Sequence, residues 1–368
     1  MAASGWPDRR AAHVLAFAGA LALLLAWRHE RVFAAFTTPH ADRWAASLFV
    51  LLALPASVAL LIYDARHRRS QPAHSLAHPA VHGRSLLRLA WRRFAANRLA
   101  VASLYVIFFF YLVALVAPII AGYDPSAIED VLSTRYQAPS WQHPFGTDDF
   151  GRDLFSRAVY GARVSLSIGL LAMLVAVSFG TLYGAIAGYF GGAMDNSLMR
   201  LVDVIIAFPT FFLMLTLVGL FEANIFFLVL ILGFTSWTGT ARFVRGEILS
   251  LKRREFIEGA RAIGLPAHLI IARHLIPNAL APVLVSAALM VGGMIGAEAG
   301  LSFLGIGIRP PTPSWGNMIS AGQDALLVAW WIAFFPGCLL ALTIISFSLL
   351  SDGLRDALDP KTLMRKYV

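Results

Sequence analysis

The chain has 368 residues, of which 58% are hydrophobic and only 14% charged, and its mean hydropathy is +0.69. A soluble domain of that length needs a charged surface, so this composition specifies an integral membrane protein. The net charge of +9 is carried between apolar runs and not on a soluble face with interleaved aromatics, which excludes a nucleic-acid binder.

Residues 12–27 and 45–63 are apolar runs of bilayer-crossing length, the first slightly short. The first reads either as a retained helix or as a cleaved signal, with Arg9-Arg10 ahead of it and Ala34-Ala35 behind. Both readings leave residue 64 on the same side. Residues 1–63 are thus an N-terminal extension with two predicted membrane helices. Residues 64–98 carry eight arginines, and at about 2.5–3.5 kcal/mol for each Arg at mid-bilayer they cannot span. They form a basic linker on the cytoplasmic side, with Arg88, Arg92, Arg93 and Phe94 at helical spacing.

Residues 99–164 hold a span at 100–121 and then an extracytoplasmic loop. The loop contains Gly146-Thr147-Asp148, Gly151-Arg152-Asp153 and Arg157. The acids lie beside arginines and lack the ligand spacing of a calcium loop. They read instead as paired charges at a helix start, with Thr147 or Asp148 as N-cap. Spans follow at 165–189, 201–219 and 224–240. The first is rich in glycine, as close helix packing in lipid requires. The second contains Pro209, which predicts a kinked span.

The segment 241–278 is as basic as the linker, so it returns to the cytoplasm. Within it, Phe256, Ile257, Ala260 and Ile263 recur at helical spacing. Gly264 with Leu265-Pro266 is a helix stop, and a second apolar-faced segment runs from Ala267 to Ile276 and meets Pro277. The stretch predicts a short helix, a tight turn and a second helix: a hairpin at the membrane surface suited to docking a soluble partner. A span at 280–303 follows, with Glu298 near its outer end as a candidate pathway or scaffold residue. Residues 304–325 form an outer loop containing Trp315-Gly316-Asn317-Met318, and the last span is 326–350. The tail, 353–368, is cytoplasmic. Cys338, the single cysteine, lies in an apolar run and excludes a disulfide framework.

Glu258-Gly259-Ala260, Gly264 and Ile276-Pro277 resemble the coupling-loop signature of ABC importer permeases, Glu-Ala-Ala, three residues, Gly, nine residues, Ile-x-Leu-Pro. Gly259 replaces the first Ala, His274 the Ile and Ile276 the Leu. The Gly146–Asp153 block resembles the longer Gly-Thr-Asp-x-x-Gly-Arg-Asp segment of the oligopeptide/dipeptide/nickel subfamily. Together they cover about residues 90–360.

The resemblance implies an all-α polytopic membrane protein. Its core would be a type I ABC importer permease of six transmembrane helices, here with two extra N-terminal ones. It assigns 165–352 to the permease domain and places the chain in the bacterial inner membrane. It implies a second homologous permease, two ATP-binding cassette subunits and an extracytoplasmic substrate-binding protein as partners, beside membrane lipid. It further implies coupling contacts through Phe256, Glu258, Gly259, Ala260, Ile263, Gly264 and Pro277, and di- or oligopeptides, nickel or another small solute as cargo. In the family's Glu-x-x-Leu-Ser-Phe-Leu-Gly run, Glu298 reads as scaffold. The 304–325 loop would face the binding protein.

None of the three lysines follows a glycine, so the chain has no phosphate loop. ATP-Mg would be held by partner subunits, with no cofactor, metal or catalytic residue in this chain. The competing class, an ion-coupled secondary transporter, needs ionisable groups at mid-span, and the central runs are uncharged. His74, His78 and His82 read as ordinary linker residues.

Overall fold

A computed structural model describes residues 84–128, 131–221 and 224–358. The two N-terminal spans, the linker before residue 84 and the tail beyond 358 lie outside the described residues. Those described are mainly helical, with one isolated bridge between Thr147 and Asp153.

Helix α1, Arg84–Ala96, is short and amphipathic; its Phe94 is buried against Ala100 and Ala357. Asn97 stops it and starts α2, Arg98–Leu115, its side chain accepting from the Leu99 and Ala100 amides at 3.1 and 3.2 Å. Such a cap is worth about 1 kcal/mol because it satisfies donors that the first helical turn leaves orphaned. The outer segment leads to α3, Leu154–Phe190, which at 37 residues is ~55 Å long and overshoots a hydrocarbon core of about 30 Å. Next come α4, Gly192–Ala207, α5, Thr210–Leu220, and α6, Ile225–Leu251. The cytoplasmic hairpin contributes α7, Glu255–Ala262, and runs into α8, Ala267–Phe303. A short outer helix α9, Trp315–Gln323, precedes α10, Trp331–Leu358.

Five of these (α2, α3, α6, α8 and α10) are long and apolar enough to cross a membrane, and α4 with α5 makes a sixth span broken by 82°. The six expected core spans are therefore present, with one correction. Pro209 does not merely kink a continuous helix: Phe208, the residue before it, is extended (φ −84°, ψ 132°), and α5 restarts after Pro209. A proline lacks the amide that would continue the ladder, and its ring drives the preceding residue out of the helical region.

The centre of the bundle is α3 against α6. Gly180, Gly184 and Gly188 form one stripe on α3, and a Cβ at Gly184 would lie 2.3 Å from the Ala241 carbonyl oxygen. At Gly169 it is the Ile295 side chain on α8 that fills the space, 2.4 Å from where a Cβ would lie. In lipid, apolar burial between helices gains little, so association rests on this close backbone approach. The core around this contact includes Ile168, Ala172, Leu232, Trp237 and Leu301.

Candidate functional site: the cytoplasmic hairpin and its supports

The hairpin is built by a helix stop. After α7 the Leu265 amide donates to the Ala260 carbonyl (3.1 Å) and the Gly264 amide to the Arg261 carbonyl (3.0 Å). This 6→1 and 5→2 pair is a Schellman closure, and it puts Gly264 at φ +78°, where any L side chain is strained. Pro266 then caps the second helix.

That second helix departs from expectation, for it does not end at Pro277. Ile270–Leu275 form a π-helical stretch, the Ile276 amide reaching back five residues to the Ile271 carbonyl, and the chain continues into the span. Pro277 offers no amide and its ring crowds the carbonyl four residues before it; the wider turn absorbs both problems.

The apolar residues of α7 divide between two sides. Ile257 and Ala260 are buried in a cluster with Val244, Ile248, Ile271 and Leu275, which fixes the hairpin to α6 and α8. Phe256 (46% exposed) and Ile263 (78%) point away from it, and Glu258, Gly259 and Gly264 are exposed as well. The single apolar face expected for Phe256, Ile257, Ala260 and Ile263 is thus two faces. Phe256, Gly259 and Ile263, at positions i, i+3 and i+7, share the outward stripe, with a glycine notch between two apolar projections. Nothing lies within 4 Å of where a Cβ on Gly259 would sit.

Polar contacts tie the hairpin's root to the inner end of α3. Lys252 Nζ donates to the Gly188 carbonyl (2.8 Å), and the Arg261 guanidinium lies 5.2 Å from the centre of the Tyr189 ring. Two ion pairs join α6 to α4, and neither is named by the sequence patterns above. In the structure Arg245 binds Asp195 and Arg242 binds Asp203. The available signal was positional: Asp203 and Arg242 each border a long uncharged run.

On the outer side, the Gly146–Asp153 block forms a clasp. The Asp148 carboxylate accepts from its own Phe150 and Arg152 amides (2.9 and 3.0 Å) and from Arg152 Nε (2.7 Å), and Arg157 Nε stands 3.4 Å away. Thr147, fully buried, donates to the Thr134 carbonyl and accepts from the Gln137 amide, while its carbonyl takes the Trp331 indole N–H at 3.2 Å. Gly146 and Gly151 are both left-handed (φ +77° and +75°).

The N-cap of α3 is Asp153, not Thr147 or Asp148. Its carboxylate accepts from the Ser156 amide at 2.7 Å and meets His143 Nδ1 at 2.9 Å. Asp148 is unavailable as a cap because it closes the turn that reverses the chain at Gly151. Burial, then the neighbouring Asp148 charge, hold the Asp149 carboxyl above its ordinary range against the pull of Arg152.

Glu298 is fully buried on α8. One carboxylate oxygen accepts from Ser165 on α3 (2.8 Å) and the other from Ser302 (2.7 Å). Ser165 in turn accepts from the Trp315 amide and Ser302 from the Ile308 amide. This geometry makes it a scaffold joint and not a wall of an open path. Trp315-Gly316-Asn317-Met318 is likewise buried and unavailable to an outside partner. The Trp315 indole donates to the Ala158 carbonyl (3.0 Å) and the Asn317 amide to the Ile308 and Thr312 carbonyls.

Comparison with known proteins agrees with this architecture. Residues 180–364 match the model of the binding-protein-dependent transport system inner membrane component. Residues 85–139 match the N-terminal transmembrane domain of oligopeptide transport permease C. The chain is 43% identical over 294 residues to the oligopeptide transport system permease protein OppC of Haemophilus influenzae, covering 79% of this chain and 94% of that one. It is 37% identical over 294 residues to the dipeptide transport system permease protein DppC of Bacillus subtilis (80% and 90%). It is 40% identical over 271 residues to the glutathione transport system permease protein GsiD of a strain of Escherichia coli (74% and 89%). The chain belongs to the family of binding-protein-dependent transport system inner membrane components, as a multi-pass permease of the bacterial inner membrane.

Proposed function

We propose that this chain is one of two homologous permeases forming the translocation pathway of an ATP-driven importer for short peptides. Two cytoplasmic ATP-binding cassette subunits hold ATP-Mg and dock on the hairpin, and an extracytoplasmic binding protein delivers the substrate. The observation that carries the reading is the hairpin itself. Its inner face is locked into the bundle through Ile257 and Ala260, while Phe256, Gly259 and Ile263 stand outward without a partner in the single chain. An apolar stripe with a glycine notch fits a cleft on a soluble protein, and the rigid root passes movement of that cleft to α6 and α8. The substrate class follows from the relatives, whose names specify oligopeptides, a dipeptide and glutathione, all short peptides.

Gly264 supplies the test. A valine there forces a β-branched residue into the left-handed region, a strain of about 1–2 kcal/mol, while its Cβ meets nothing within 4 Å. The expected result with the reconstituted complex is retained ATP hydrolysis with peptide uptake lost or sharply reduced. Normal uptake by the Gly264→Val complex would remove the hairpin's assigned role.

A further inference from the structure

Asp203 and Arg242 border two apolar runs at the same end. No charged residue occurs from Val204 to Phe221, nor from Ile225 to Ala241. The two runs are joined at their outer ends by a short connection, so their inner ends carry one acid and one base. These side chains meet: Arg242 donates to Asp203 at 2.5 Å, and both are about half exposed (49% and 57%). Three residues along α6, Arg245 holds Asp195 through two bonds of 2.5 and 2.6 Å, in a less exposed setting.

The helices joined by these pairs are held very differently. α6 is pressed against the glycine stripe of α3 and, after Lys252–Arg254, continues into the hairpin. α4 fully buries only Asp195 and Val202 along its 16 residues; Met199 and Ile205 pack half-buried on the core, and the Tyr183 hydroxyl donates to the Leu198 carbonyl. Gly191, which precedes α4, and Gly192, which opens it, are both at positive φ, and the break at Pro209 follows the helix. Both ends are places where the helix can turn without breaking its own hydrogen bonds.

We propose that Asp203 and Arg242 are a positioning pair that carries movement of the hairpin to the broken span, α4 following α6 while the pair is made. The inference rests on the permease reading given above. A lone half-exposed ion pair is weak enough to be made and broken in every cycle, whereas the bidentate Asp195–Arg245 contact keeps the base of α4 attached. What the transfer needs is one acid and one base, in either order.

The test uses the complete transporter, with its partner permease, ATPases and binding protein, on a Cys338→Ser background. Single cysteines at Leu201 on α4 and at His268, on the hairpin's second arm and outside the docking stripe, both exposed, report maleimide labelling before and after trapping with ATP and vanadate. Trapping should change the rate at both positions, by about fivefold at residue 201 if the pair carries the movement. With Asp203→Arg or Arg242→Asp the change should persist at residue 268 and vanish at residue 201. Reversing both charges together should restore it.

An undiminished change at residue 201 in the single reversals, or a double reversal as inert as either one, overturns the proposal. So does trapping that reaches residue 268 but never residue 201 in the unmodified pair. Trapping that leaves residue 268 unchanged refutes instead the docking role proposed for the hairpin, on which the pair depends. Where a reversed variant does not assemble, the neutral Asp203→Asn reads the same quantity.

Discussion

Glu298 shows how an acid inside an apolar protein is kept: both oxygens accept from serines, one on its own helix and one on α3. Glu298→Ala would leave the hydroxyls of Ser165 and Ser302 buried with nothing to donate to, at about 1–3 kcal/mol each. The expected outcome is a clearly lowered midpoint in thermal unfolding of the detergent-solubilised complex, with residual uptake falling in proportion to folded protein. A loss of uptake with unchanged stability would instead give Glu298 a part in the pathway. At this scale the sequence was half legible. It marked Glu298 as an acid at membrane depth, but its partners lie 133 residues away at Ser165 and one helical turn away at Ser302. Only the first of those contacts demands the fold.

Among the elements, α3 is the one whose composition most directly dictates its packing. A methyl group at Gly184 would sit 2.3 Å from a backbone oxygen of α6, which no rotamer change relieves, whereas a Cβ at Gly246 meets nothing within 4 Å. Gly184→Ala should therefore lower the melting temperature by several degrees, and Gly246→Ala should leave it unchanged or raise it slightly, since alanine is the better helix former. Circular dichroism melts of the two variants check the contrast; equal melting would mean that α3 and α6 do not touch through this stripe. Spans and basic segments were readable because hydropathy and arginine placement act locally. The cap of α3 was not, since Thr147, Asp148, Asp149 and Asp153 are all suitable residues. Their assignment is decided by the clasp, in which Asp148 closes the turn at Gly151 and leaves Asp153 at the helix mouth. The π-helical stretch was hidden for the opposite reason: Pro277 looks like a terminator, and only the continuous α8 shows it bypassed.

For the whole molecule the charge distribution sets one orientation, with the hairpin inside and the clasp outside. The single native cysteine makes this checkable: on a Cys338→Ser background, Ile263→Cys should react with an impermeant maleimide only from the cytoplasmic side. Trp141→Cys should react only from the outer side. Labelling from the opposite sides would invert the topology and detach the hairpin from any cytoplasmic ATPase. The passage from hairpin to α8 through Ile270–Leu275 also has a consequence for how the lever is phased. A π-helical turn houses one residue more than an α turn while leaving the flanking helices aligned. The six residues 270–275 are thus a place where chain length and helix azimuth are decoupled: a one-residue deletion there, with Pro277→Ala to lift the ring clash, can close into an α turn and keep Phe256 and Ile263 aimed as they are. The same deletion further along α8 would swing the docking stripe about 100° around the axis.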